Sequence, residues 1–133
     1  MENLDLLAAR AAQTIIDGTK GQVATDVENL VTKALGVLQE NGVYAALLYL
    51  YSRSNATEKP IAERTREKLL DLTEKLTSPR QTPKKAEDAL KFLTDHVCND
   101  LDRLLLVKQL WEQTLIYARY GAKARGTEEV SKR

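Results

Sequence analysis

Side chains able to do covalent or metal chemistry are few in this chain, and their spacing suits neither. One histidine, His96, and one cysteine, Cys98, stand two residues apart. As metal ligands they supply two donors, where a structural zinc site takes four and a catalytic one three. As a nucleophile and its base they would have to share a face, and residues two apart on a helix point to different faces. A helix-end imidazole and a half-buried thiol account for both. Carboxylates such as Asp100 and Asp102 sit among lysines and arginines at helical spacing, the pattern of a solvated face. Gly18-Thr19-Lys20-Gly21 hints at a phosphate loop. It lacks the Gly-x-x-x-x-Gly-Lys-Ser/Thr spacing and follows no strand, so it reads as a loop that ends a helix. No catalytic residue, metal site or cofactor is expected. The reading is of a protein that is not an enzyme and works by binding other macromolecules.

Binding chemistry is better represented. One basic group is Arg80, Lys84 and Lys85; the other is Arg119, Lys123 and Arg125, with Tyr117 and Tyr120 beside it. Arg119 and Lys123 are four apart and project from one helix face. Basic residues among aromatics can hold a nucleic-acid backbone and stack bases. The plainer alternative is a solvated face near a helix C-terminus, where cations favour the dipole. Lys84 and Lys85 would fall in a first turn, which disfavours cations, and this tilts them toward a binding role. Tyr44, Tyr49 and Tyr51 form a third group, since tyrosine offers apolar area with a polar tip at protein interfaces. They could equally cover the protein's own core.

These residues must be carried by helices, because apolar positions recur at helical spacing and no segment alternates as a strand would. Residues 3–17 place Leu4, Leu7, Ala8, Ala11, Ala12 and Ile15 on one face, with Asn3 as cap and Gly18 at the end. Residues 25–41 follow, with Thr25 and Glu28 spaced as a capping box and Asn41-Gly42 as the stop. Residues 43–52 are apolar nearly all round. A fourth helix is expected from Pro60, a residue suited to the first helical position, to Leu76, and a fifth from Thr82-Pro83. The last carries Leu101, Leu104, Leu105, Lys108, Trp111, Leu115, Ala118 and Ala122 as its stripe, with a break before it left open. Gly126 is expected to end it. The fold class is all-α: a single compact bundle of about five to six helices over residues 1–125, then a polar C-terminal tail, 126–133.

The 133 residues suit one domain with a single core. Net charge is only +1, but it is uneven: three basic residues oppose six acidic ones up to Tyr51, and 17 oppose 13 beyond it. No apolar run reaches the roughly 20 residues that span a bilayer, and no secretory signal is visible. With one cysteine, these features lead to a cytoplasmic expectation and no membrane partner.

Two stretches carry a family resemblance. Residues 30–52 read as a helix, the Asn41-Gly42 turn, and a second, apolar helix that begins Val43-Tyr44-Ala45-Ala46. Residues 110–124 read as a closing helix with the pattern Tyr117-Ala118-Arg119-Tyr120-Gly121-Ala122-Lys123-Ala124. Together they resemble the small α-helical subunit of the Cmr complex, a type III CRISPR RNA-guided effector. The resemblance implies a non-catalytic subunit in antiviral defence, stacked head to tail with copies of itself beside the guide-binding backbone. Its implied partners are the other effector subunits and the guide and target RNA. Arg119 and Lys123 fall on the basic places of the closing pattern, which implies phosphate contact. The alternative is a small helical adaptor or regulator that binds proteins without nucleic acid.

Overall fold

The computed structural model describes residues 3–77 and 85–131, and among them helices are the only regular secondary structure. Six helices follow in order: α1 (Leu4–Gly18), α2 (Ala24–Asn41), α3 (Val43–Ser52), α4 (Glu58–Leu76), α5 (Ala86–His96) and α6 (Leu101–Ser131). They form one bundle, as the periodicity requires, because each amphipathic stripe must be covered by another.

The 31-residue α6 is the spine. At 1.5 Å per residue it is about 45 Å long. α1 lies along it in broadly the same direction: Tyr117 donates its hydroxyl to Asp5, and Gly121 faces Ile16 one turn later. α2 returns antiparallel, so that Ala24 meets Gly126 while Glu28 lies beside Lys123. α4 closes the other side. There the buried indole N–H of Trp111 donates to Thr73 Oγ1 at 2.9 Å, and the Thr73 hydroxyl donates to the Leu69 carbonyl at 2.8 Å. That chain satisfies polar groups that would otherwise be costly to bury. α3 packs on α2 and α4, and α5 packs on α3.

Several helix ends differ from the sequence reading. Asn3 does cap α1, accepting from the Asp5 N–H at 2.9 Å. The Thr25–Glu28 capping box does not form; α2 begins one residue earlier, and the Val23 carbonyl accepts from Asp26 and Val27. Pro60 is the third residue of α4, not the first. Asn55 starts that helix instead, its side chain accepting from the Glu58 N–H at 2.7 Å and its carbonyl from Lys59 at 2.9 Å. The expected opening of α5 at Thr82-Pro83 lies outside the described residues. The helix buries Ala89, Phe92 and Leu93, with Leu90 partly buried against the core and Val97 fully buried just past its end. A true break separates α5 from α6: Asp100 Oδ1 accepts from the Arg103 N–H at 3.1 Å, and the Arg103 side chain donates to the His96 carbonyl at 2.9 Å.

Two corrections concern α6. Leu101 and Leu105 are 69 % and 54 % exposed, while Leu104 between them is partly buried against the core; full burial starts at Val107 and continues through Leu110, Trp111, Leu115, Ala118 and Ala122. At the far end Gly126 does not stop the helix, which continues to Ser131, so no separate tail begins at residue 126. The lack of a side chain there serves packing instead. A Cβ on Gly126 would already lie 3.3 Å from the Ala24 methyl, so glycine lets the start of α2 come close.

Candidate functional site

The outward face of α6 presents Arg119, Tyr120 and Lys123 to solvent. Their positions follow from the stripe beneath them. Ala118 and Ala122 are fully buried, and the residue that follows each of them, Arg119 or Lys123, is turned about 100° outward. Arg119 and Lys123 are separated by about 6 Å along the axis. Neither has a carboxylate within ion-pair distance among the described residues. Around them the cations are paired: Lys108 with Glu112 at 4.0 Å and Arg125 with Glu129 at 3.4 Å. Glu28 of α2 shares a shallow groove with Lys123, yet makes no ion pair with it. The Arg119 guanidinium carbon lies 5.9 Å from the centre of the Tyr120 ring.

Arg125 does not belong to this surface, contrary to expectation. Its side chain is only 12 % exposed. It turns back across the α1–α2 loop and donates to three carbonyls: Ile16 at 3.3 Å, Thr19 at 3.1 Å and Gln22 at 2.8 Å. Ile16 and Thr19 are at the C-terminal end of α1, where the dipole favours a cation; their carbonyls also accept from the Thr19 and Gln22 N–H groups, so Arg125 adds a second donor to each. Buried Thr19 adds a hydroxyl bond to the Ile15 carbonyl at 2.8 Å. Arg125 is therefore a clamp between α6 and the first loop.

Arg80 and Lys84 lie outside the described residues. Lys85 is exposed, and its carbonyl accepts from Ala89 at 2.9 Å at the start of α5. α5 packs on α3 rather than on α6.

The three tyrosines of the expected protein interface divide. Tyr44 is 40 % exposed, and Leu48, one turn on, is 48 % exposed. Tyr49 and Tyr51 instead pack against the core and lie under intramolecular cations, Arg53 at 4.5 Å and Arg66 at 4.3 Å from the ring centres. Burial pushes both phenols above their usual range, with the arginines opposing it. Both are half-buried, so less of each ring is open than at Tyr44. Tyr117 is also engaged internally; its hydrogen bond to Asp5 raises its phenol.

His96 and Cys98 do not converge with further ligands: among the described residues no group of three or more His, Cys, Asp or Glu could hold a metal. The His96 ring sits 5.4 Å from that of Phe92, and burial pushes the Cys98 thiol upward, away from the reactive thiolate.

Sequence reading also missed an open groove of about 540 Å³ between α1 and α4. Its apolar floor includes Leu7, Ala11 and Leu72, and Arg10, Lys68, Asp71 and Lys75 stand on its rim. Its charges are mixed, and Lys68 is paired with Asp71 at 3.6 Å. The i,i+3 spacing of that pair was readable, but which helix faced α4 was not. No described helix is long and apolar enough to cross a membrane. Compared with known protein families, curated proteins and solved structures, the chain matches none.

Proposed function

We propose that this chain is a non-catalytic, RNA-proximal small subunit of a Cmr-type CRISPR effector, working in the cytoplasm and holding the target strand by its backbone. The observation that carries the reading is the pair Arg119 and Lys123: two exposed cations, one helical turn apart, with no carboxylate partner within reach. Unspent positive charge on a rigid helix suits phosphate contact, in which base pairing with a guide supplies the sequence information and the protein supplies charge and shape. The resemblance of residues 30–52 and 110–124 points the same way. The low net charge of +1 fits a subunit whose contacts are mostly with protein and whose basic surface is narrow.

Head-to-tail stacking of copies has support at the ends of α6. Leu101 and Leu105 are exposed at one end; Val23 and Val130, 64 % and 67 % exposed, stand at the other. Unlike patches at opposite ends make a heterologous contact, which repeats instead of closing into a two-fold dimer.

The test is purification from the native host. The chain should bring down a guide RNA and larger subunits; recovery free of both would end the reading. Recovery with proteins but no RNA would select the adaptor, for which exposed Tyr44 and Leu48 on α3 offer a contact surface. Within the assembled complex, Arg119→Glu with Lys123→Glu should weaken target-RNA retention and lower the salt dependence by about one to two phosphate contacts per copy. Retention equal to wild type would remove both residues from the RNA surface.

A further inference from the structure

Among the described aromatic residues Tyr120 is the most open, at 61 % exposure. The fold has a use for each of the others on this side of the molecule. Tyr117 is bonded to Asp5, and Trp111 is buried against Thr73. Tyr120 has Arg119 at 5.9 Å, near the roughly 6 Å limit of a cation–π contact, and no closer ring or cation covers it. An open ring beside two cations that have no carboxylate partner is a combination with a specific chemistry. Cations follow a phosphate backbone, and an aromatic face accepts any base that has left its own stack.

We infer that Tyr120 is a stacking platform for an unpaired base, so that the strand held by Arg119 and Lys123 is engaged with at least one nucleotide splayed out. The inference rests on the proposed RNA contact and adds the state of the ligand: single-stranded or locally unpaired, and of any sequence. In an intact A-form duplex each base is already stacked on both faces, and the protein meets phosphates and 2′-hydroxyls instead. Helical geometry supports the arrangement. Tyr120 follows Arg119 by one residue and precedes Lys123 by three, so it is turned about 100° from the first and about 60° from the second. The ring therefore stands beside the line joining the cations, where a base hanging from that backbone would fall. Two carboxylates lie near the edges, Glu28 with Lys123 and Asp17 with Gly121; they bound the surface without pairing either cation.

The experiment is fluorescence anisotropy on the full chain, with one labelled RNA as a single strand and as a duplex with its complement, at about 50 and about 200 mM salt. Wild type should prefer the single strand. Tyr120→Ala should weaken single-strand binding about 5- to 100-fold while leaving the salt slope and the helical circular dichroism unchanged; Tyr120→Phe should bind as wild type. Equal affinity of wild type for strand and duplex, or full affinity of Tyr120→Ala, would overturn the inference. If Arg119→Glu with Lys123→Glu still abolished binding in that case, the proposed RNA contact would stand without it. Failure of wild type to bind either RNA would overturn both.

Discussion

Arg125 illustrates how a basic residue can look like a ligand contact and serve the fold instead. Its guanidinium supplies donors to three carbonyls across the end of α1 and the α1–α2 loop. Arg125→Ala should lower stability by about 1–3 kcal/mol, because it strips those acceptors at a partly buried site. Arg125→Lys should recover only part of the loss, since a single ammonium cannot span the fork. Thermal unfolding checks both, and an Arg125→Ala melting temperature equal to wild type would mean that water replaces the clamp at no cost. Spacing hid this role. Arg119, Lys123 and Arg125 are neighbours in sequence, but Arg125 is turned toward α1, and only the packing of α1 on α6 shows where its side chain goes.

Individual helices test the glycines. Gly36 lies inside α2, and a Cβ built there meets nothing within 4 Å. Gly36→Ala should therefore stabilise the protein by about 0.5–1 kcal/mol through helix propensity and a less free unfolded chain. Gly42 has φ +94° and ψ −175° at the α2–α3 turn, a conformation that side chains resist. Gly42→Ala should cost about 1–3 kcal/mol. Chemical denaturation should separate the two by sign; two shifts of the same sign would contradict this account of the turn. The helices themselves were legible, because residues such as Leu30, Val31, Ala34, Leu35 and Leu38 repeat at a period only a helix satisfies. Their ends were less so. Asn55 outcompetes Pro60 as a start because its side chain and carbonyl both accept from the first turn, and Gly126, a stop by residue type, stays helical because its smallness admits Ala24. The exposed pair Arg119 and Lys123 was readable from four-residue spacing. The covering of Tyr49 and Tyr51 by Arg53 and Arg66 was not, since Tyr51 and Arg66 meet only when α3 packs on α4.

At the scale of the molecule, α6 sets the span, with bare apolar side chains at both ends. If copies join end to end through them, sedimentation of wild type should show mass rising with concentration, and Leu101→Glu with Leu105→Glu should hold the chain monomeric without unfolding it. Wild type that stays monomeric across the range would rule out association through these ends. Monitoring any of these variants is simplified by Trp111. It is the single tryptophan of the chain and is wholly enclosed between α6 and α4. Its emission is an optical probe of the interior alone: red-shifted when the bundle opens and water reaches the indole, and silent to events on the outer face of the same helix.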